Sequence, residues 1–153
     1  MSNRRFLVVN GPNLNLLGER EPAIYGAVTL DEIEGACRAW GEEHGISVCC
    51  FQSNAEGALL DFLQAERHRA SGAVLNAAAY THTSVALHDG VRALPFPVIE
   101  VHLSNVAARE PFRGVSLIAP VARGTITGLG ALGYLLALEA LHTLTAGAPE
   151  ELP

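Results

Sequence analysis

The chain has 153 residues, of which 49% are hydrophobic and 17% are charged, a composition typical of one globular domain with its own core. Its formal net charge of -6 leaves no excess of Lys and Arg for binding nucleic acid or an anionic membrane. All 10 residues counted as Lys or Arg are arginines, so chemistry through a lysine Schiff base is excluded.

Five short apolar runs alternate with helical patterns and predict the strands of one parallel sheet, at residues 6–9, 46–51, 73–75, 98–103 and 115–119. Four helices are expected: one capped by Thr29 and ending at Gly45, one over 54–69, one from near Thr83 and one from near Thr125. Right-handed crossovers favour an α/β fold with the flavodoxin-like strand order and helices on both faces. We expect a single domain over 1–153, frayed from about residue 146.

Cysteine usage and apolar run lengths predict the compartment. Cys37, Cys49 and Cys50 form no CxxC pair, which favours reduced thiols in the cytoplasm. The first apolar run is too short for a signal peptide, and residues 126–138 are too few and too glycine-rich to span a bilayer. We therefore expect a cytoplasmic protein with no membrane partner.

Polar side chains follow three of the predicted strands. Residues 10–15 (NGPNLN) follow the first strand, Asn76 follows the third, and residues 100–105 (EVHLSN) run out of the fourth. Because ligands of open α/β sheets bind beyond the carboxyl ends of the strands, these groups are expected to share one site. The connection over 18–26 is long for a loop between a strand and its helix, and it predicts a lid.

Several of these residues fit acid-base chemistry, although each also has a plainer interpretation. Glu100 and His102 alternate on one strand face, so the carboxylate could orient the imidazole; a structural histidine is the alternative. Tyr25 alone is an ordinary surface aromatic, unless Arg20 lies close enough to favour its phenolate form.

Two segments carry groups suited to an anion. Arg109 and Arg113 are four residues apart and would share one face if that stretch is helical, either as a clamp for an anion or as solvated charges. Residues 81–84 (THTS) lie at a predicted helix start, where capping explains the hydroxyls but not His82.

Two patterns point elsewhere and are weak. Residues 128–133 spell GxGxxG, but no ribose-binding acid in a second βαβ unit follows, so close packing of small residues explains them better than a dinucleotide does. His82, His88 and His102 with Asp89 do not have the spacing of a zinc site, so no metal is expected.

Read together, the segments resemble type II 3-dehydroquinate dehydratase from about residue 6 to residue 141. The matching motifs are 10–18 (NGPNLNLLG), 20–22 with 25–26, 52–54 (QSN), 76–84 (NAAAYTHTS), 100–105 (EVHLSN), and 109–113. The resemblance implies a lyase that reversibly converts 3-dehydroquinate to 3-dehydroshikimate through an enolate, without a cofactor. That reaction serves the shikimate pathway towards chorismate and the aromatic amino acids, or quinate catabolism. Ala77 and Ala107 depart from the usual pattern.

The resemblance also implies roles for catalytic residues. Tyr25 would remove the proton next to the ketone, with Arg20 favouring its phenolate, and Asn13 would help hold a water against the enolate oxygen. His102, oriented by Glu100, would protonate the departing hydroxyl in an anti elimination.

For binding, the resemblance implies that Asn76 and the backbone of Leu103 and Ser104 hold the substrate carboxylate. His82 and Arg113 would hold the ring hydroxyls. The resemblance also implies roles for two further positions. Arg109 would close the lid. Asp89 matches a position that reaches a neighbouring subunit's site, which implies trimers assembled into a homododecamer.

Two other classes of function remain as alternatives. The first is a non-catalytic flavodoxin-like domain that binds a small anion, which would leave Asn13, Arg20, Tyr25 and His102 together unexplained. The second is a metal hydrolase, which would be sensitive to chelators.

Overall fold

The computed structural model describes residues 3–147, and its central element is a parallel sheet. The strands are β1 (Arg5–Asn10), β2 (Ser47–Gln52), β3 (Gly72–Asn76), β4 (Val98–His102) and β5 (Gly124–Thr127). They lie in the order β2-β1-β3-β4-β5, and all neighbouring pairs are parallel. The predicted α/β class and flavodoxin-like order are confirmed. Residues 148–153, where most of the expected frayed tail falls, lie outside the described part.

The α-helices are α1 (Pro22–Tyr25), α2 (Leu30–His44), α3 (Glu56–Glu66), α4 (Val85–Arg92) and α5 (Leu132–Leu144). The predicted cap of α2 is confirmed, because the Thr29 hydroxyl accepts the Glu32 N–H at 3.2 Å. Gly45 ends that helix in the left-handed conformation, with φ of 67°. The cap of α4 is Ser84, whose hydroxyl accepts the Leu87 N–H at 2.9 Å.

Hydrophobic cores lie on both faces of the sheet. Alternation along β1 sends Phe6 and Val8 into the core with α2 and α5, and Leu7 and Val9 into the core with α3 and α4. These four side chains are fully buried, so β1 is a central strand covered on both sides. No described helix has the length and apolar character needed to cross a membrane.

The three cysteines are free. Burial raises the pKa of Cys37 to about 12, and that of Cys50 to about 12 as well. Both thiols are therefore uncharged at neutral pH and are poor nucleophiles in the folded protein.

The expected fifth strand and last helix were misplaced. Residues 115–119 form turns rather than a strand, although Ile118 is fully buried. The Ser116 hydroxyl accepts the N–H groups of Ile118 and Ala119, which closes the chain into a turn. The edge strand is β5, in which Ile126 is the single large apolar residue, and the helix that follows starts at Leu132 rather than near Thr125.

Candidate active site

A pocket opens beyond the carboxyl ends of β1, β3 and β4, with about 510 Å³ of empty space including its open mouth. Most of the predicted site residues line it: Asn13, Arg20, Tyr25, Asn76, His82, His102, Leu103, Ser104, Arg109 and Arg113. Two do not. Glu100 is buried in contact with His102, and Asp89 lies exposed on α4.

The end of β1 is held against the end of β3 by close backbone packing. The Gly11 N–H donates to the Asn76 carbonyl at 2.8 Å, and a Cβ on Gly11 would meet the Ala77 carbonyl oxygen at 2.5 Å. Only glycine fits such an approach. The chain then turns through Asn13, whose φ is 70°, and the Asn13 N–H donates to the Asn54 side chain at 3.0 Å. This geometry brings Asn13 to the pocket.

The predicted lid contains α1, which carries Tyr25. The guanidinium carbon of Arg20 lies 4.9 Å from the centre of the Tyr25 ring, and that of Arg109 lies 5.2 Å from it. Both distances are within the range of cation–π contacts. Two positive charges therefore lie beside the Tyr25 ring.

His102 and Glu100 form the pair that strand alternation predicts. The His102 Nε2 donates to the Glu100 Oε2 at 2.9 Å, and the same oxygen accepts the hydroxyls of Thr81 at 3.1 Å and Ser116 at 2.7 Å. Burial acts to raise the pKa of Glu100, but hydrogen bonds from His102, Ser116 and Thr81 outweigh it and hold the pKa below its ordinary value. Glu100 is therefore an anion at neutral pH, and His102 is left with Nδ1 for exchanging a proton.

Thr81 and Ser116 are site residues that sequence reasoning missed. Thr81 was explained by helix capping, but the hydroxyl that caps α4 is that of Ser84, and Thr81 instead donates to Glu100. Ser116 lay in the run wrongly predicted as a strand. No local pattern marks either contact, because each depends on tertiary packing against β4: Thr81 reaches Glu100 from the 3₁₀ turn Ala78–His82, and Ser116 reaches it from the loop after Arg113.

His82 has a fixed orientation that capping did not explain. Its Nδ1 donates to the Val115 carbonyl at 2.7 Å, and its ring stacks 6.4 Å from the His102 ring. Because a carbonyl can only accept, the neutral tautomer of His82 carries its proton on Nδ1 and leaves Nε2 for a ligand.

Arg109 and Arg113 do not share a helix, contrary to the expectation. Arg109 follows the 3₁₀ turn Val106–Ala108, and Arg113 ends the separate 3₁₀ turn Pro111–Arg113. Both nevertheless line the pocket. Arg109 donates to the Ser104 hydroxyl at 3.3 Å, and its buried Nε has no hydrogen-bond partner in the described residues.

The charge of the pocket differs from that of the chain. Among the described residues, the lining includes Arg20, Arg109 and Arg113 and contains no Asp or Glu, although the chain has a formal net charge of -6. Within residues 3–147, no three His, Cys, Asp or Glu side chains are arranged to hold a metal ion. The pocket thus suits a small polar anion and offers a histidine–carboxylate pair and a tyrosine for proton transfer.

Comparison with known proteins covers almost the whole chain. The family model "Dehydroquinase class II" matches residues 4–142. The 3-dehydroquinate dehydratase of Ruegeria pomeroyi is 59% identical over 144 residues, covering 93% of this chain and 97% of that protein. The 3-dehydroquinate dehydratase of Rhizobium johnstonii is 55% identical over 139 residues, covering 91% of this chain and 96% of that protein.

Solved structures agree with these relatives. The type II dehydroquinase of Butyrivibrio crossotus superposes with a TM-score of 0.90 at 41% identity, covering 93% of this chain and 99% of that chain. The 3-dehydroquinate dehydratase-like protein of Bifidobacterium longum superposes with a TM-score of 0.71 at 33% identity, covering 94% of this chain and 98% of that chain.

Proposed function

This chain belongs to the class II dehydroquinase family and is a 3-dehydroquinate dehydratase, a hydro-lyase, and we propose which of its residues carry out the reaction. The resemblance found in the sequence is confirmed. The enzyme interpretation is favoured over the non-catalytic anion-binding domain. The reaction removes water from 3-dehydroquinate and gives 3-dehydroshikimate, a step of the shikimate pathway.

One observation carries the assignment of roles: Tyr25, between two guanidinium groups, opens onto the same pocket as His102 bound to Glu100. In this proposal Tyr25 acts as a phenolate base, and the guanidinium groups of Arg20 and Arg109 lie beside its ring. The residue that starts the reaction is therefore Tyr25, and the residue that completes it is His102.

The first step breaks a carbon–hydrogen bond next to the ketone. The phenolate of Tyr25 takes the proton, and the electron pair moves onto the carbonyl oxygen to form an enolate. A water held by Asn13 at the pocket donates a hydrogen bond to that oxygen. Negative charge that develops there is further stabilised by the surrounding arginines.

The second step returns the electron pair and expels the hydroxyl. As the enolate collapses, the carbon–oxygen bond breaks, and protonated His102 gives its Nδ1 proton to the leaving oxygen, which departs as water. Glu100 stabilises the protonated imidazole by accepting from its Nε2. The proton gained by Tyr25 must return to His102 before the next turnover.

The substrate is held by groups suited to its carboxylate and hydroxyls. Asn76 and the backbone N–H groups of Leu103 and Ser104 bind the carboxylate, and His82 and Arg113 bind the ring hydroxyls. All five residues line the pocket, which supports this assignment. Arg109, next to both Ser104 and Tyr25, couples lid closure to the bound substrate.

The proposed assembly rests on the family resemblance, and the position of Asp89, exposed on α4 and outside the pocket of its own chain, is compatible with it. We assign it to the site of a neighbouring subunit, in trimers that form a cytoplasmic homododecamer of 16.2-kDa chains. Light scattering after size exclusion tests the assembly, and a monomeric, fully active enzyme would contradict it.

Residues 1–153 are taken as a single catalytic domain, tested by one cooperative unfolding transition.

The deciding experiment is turnover of 3-dehydroquinate, followed by the absorbance of the conjugated product, in wild type and in Tyr25→Phe. Wild type should turn over with borohydride or a chelator present, and Tyr25→Phe should lose elimination but still bind substrate. Tyr80→Phe is the matched control, since Tyr80 lies outside the pocket lining. Retained turnover in Tyr25→Phe would overturn the role of Tyr25, and no turnover in folded wild type would overturn the activity.

A further inference from the structure

Three polar side chains form a buried chain of hydrogen bonds behind the pocket. Tyr134 on α5 and Asn10 at the end of β1 are both 0% exposed, and Asn76 at the end of β3 is 3% exposed. The mechanism above uses only Asn76. Burying a phenol and two amides is unfavourable unless their hydrogen bonds are made, so the pattern of donors and acceptors among them is informative.

The donor and the acceptor of each hydrogen bond can be assigned by starting from the Ala78 end of the chain. The Ala78 backbone N–H can only donate, and it donates to the Asn76 side chain at 3.1 Å, so the accepting atom is Oδ1. The other end of the amide, Nδ2, then donates to the Tyr134 hydroxyl at 2.9 Å. Tyr134 in turn donates to the Asn10 Oδ1 at 2.6 Å. Burial raises the pKa of Tyr134, so its hydroxyl keeps the proton that this last bond needs.

Asn10 contributes to this chain of hydrogen bonds through its side-chain oxygen and not through its amide nitrogen. Its Nδ2 is buried and has no hydrogen-bond partner in the described residues. An unsatisfied buried N–H group is costly, and an apolar side chain of similar size would avoid that cost. The oxygen is the part of Asn10 that has a partner, and that partner is Tyr134.

The consequence concerns what Asn76 offers to the pocket. Its Oδ1 is occupied by Ala78 and one Nδ2 hydrogen is occupied by Tyr134, so one N–H remains for a ligand. We propose that Tyr134, supported by Asn10, is a positioning residue that orients the Asn76 amide so that it presents a donor to the substrate. The site then selects an acceptor such as a carboxylate oxygen. This inference rests on the proposed function, in which Asn76 binds the substrate carboxylate.

The test uses Tyr134→Phe, which removes one oxygen and keeps the buried ring. Without the hydroxyl, the Asn76 amide is held only at Oδ1, by the Ala78 N–H, and its Nδ2 end has lost the partner that keeps the remaining N–H directed at the pocket. We expect KM for 3-dehydroquinate to rise roughly tenfold, the effect of one hydrogen bond, with kcat changed much less. Tyr80→Phe, which removes a hydroxyl bonded to the Asn54 backbone, should leave KM unchanged.

A double-mutant cycle separates positioning from a general structural effect. Asn76→Ala should raise KM by itself, and adding Tyr134→Phe should then have no further effect on KM, because the residue through which Tyr134 acts is gone. The same rise in KM in both backgrounds would overturn the inference. So would an Asn76→Ala enzyme with unchanged KM.

A second variant protects the test against loss of folding. Asn10→Leu removes the acceptor of the Tyr134 proton without touching Tyr134, and it also removes the unsatisfied amide N–H. We expect a rise in KM in the same direction as for Tyr134→Phe, which the Asn76→Ala background again abolishes. An unchanged KM in folded Asn10→Leu and Tyr134→Phe, with normal wild-type turnover, refutes the positioning role of Tyr134 and leaves the proposed function standing. Wild type without turnover refutes the proposed function instead.

Discussion

Two walls of the pocket are held in different ways. The strand wall, formed by residues at the ends of β3 and β4, holds its polar groups in buried hydrogen bonds. The loop wall, formed by Arg20, Tyr25 and Arg109, is held by contacts between guanidinium groups and an aromatic ring. Asn76 and His102 of the strand wall are 3% and 6% exposed, and Glu100, which lies behind His102, is 1% exposed. Arg20 and Tyr25 of the loop wall are half-buried. Under the proposed mechanism, groups on the strand wall therefore support both the fold and the reaction, while groups on the loop wall support the reaction.

The sharpest test of this difference compares His102→Ala with Tyr25→Phe. Both changes should reduce kcat strongly, by about 10²-fold or more, because each removes a proton-transfer group. Only His102→Ala should also lower the free energy of unfolding, by roughly 1–3 kcal/mol, since it leaves Glu100 without one of its donors. Tyr25→Phe keeps the ring between the guanidinium groups.

Steady-state kinetics and denaturant unfolding of the same preparations check both quantities. Equal loss of stability in the two variants would show that the lid is as much a part of the folded core as β4 is, and the distinction between the walls would fail.

Arg20→Leu tests the loop wall by itself. Removing one of the two guanidinium groups beside the Tyr25 ring takes away a positive charge that stabilises the negative charge of the proposed proton transfer, so kcat should fall. At neutral pH we expect roughly 10–100-fold lower kcat, where each tenfold loss corresponds to 1.4 kcal/mol. Arg38→Leu is the matched control, because Arg38 pairs with Glu34 on α2.

The measurement is kcat and KM at a fixed pH, with the free energy of unfolding as a second readout that should not change. A higher KM with an unchanged kcat would mean that Arg20 binds substrate rather than supporting Tyr25.

Glu100→Gln tests the strand wall through the pH dependence of stability. Although burial acts to raise the pKa of Glu100, its hydrogen bonds hold that pKa below the ordinary value. As pH falls, Glu100 is therefore protonated in the unfolded chain at a higher pH than in the folded protein. Its contribution to the free energy of unfolding is complete above the ordinary pKa and is lost as pH falls through the pKa of the folded state. At pH 7 the substitution should cost roughly 2 kcal/mol, typical of hydrogen bonds to a charged group.

Denaturant unfolding across the acidic range checks the sign. Glu100→Gln should flatten the fall in stability towards low pH, whereas Glu42→Gln, on the exposed face of α2, should leave it unchanged. If the stability of Glu100→Gln falls towards low pH as steeply as that of Glu42→Gln, the acid sensitivity arises from groups other than Glu100.

The strand wall was the part that the sequence predicted best. Period-two alternation puts Glu100 and His102 on one face, and parallel strands bring their carboxyl ends to one edge, so Asn76 joins them. Both rules depend on regular structure, and the contacts obey them. The family motifs then supplied the roles.

The loop regions could not be predicted in the same way. Arg109 and Arg113 were expected on one helix, but each belongs to a separate 3₁₀ turn, and the pocket gathers them by tertiary packing. Ser116 reaches Glu100 from a turn in a run that reads as a strand. The observed edge strand, β5, has only four residues, which alternate in exposure. Its hydrophobic pattern is weaker than that of residues 115–119, which were therefore predicted as the strand instead.

The smallest expected effect concerns Ala78, which directs its N–H at Asn76 from a left-handed conformation with φ of 51°. That conformation is unfavourable for any residue with a Cβ, and glycine adopts it freely. Ala78→Gly should therefore raise the free energy of unfolding by up to about 1 kcal/mol. KM should stay unchanged because the backbone N–H remains.

Ala79→Gly provides the matched comparison, since Ala79 lies on the same 3₁₀ turn but is not among the residues with positive φ. There glycine relieves no strain and adds freedom to the unfolded chain, so stability should fall by about 0.5–1 kcal/mol. Opposite signs for the two neighbours would locate the strain at the residue that fixes the Asn76 amide. The same sign for both would mean that the strand wall is held in place without that strain.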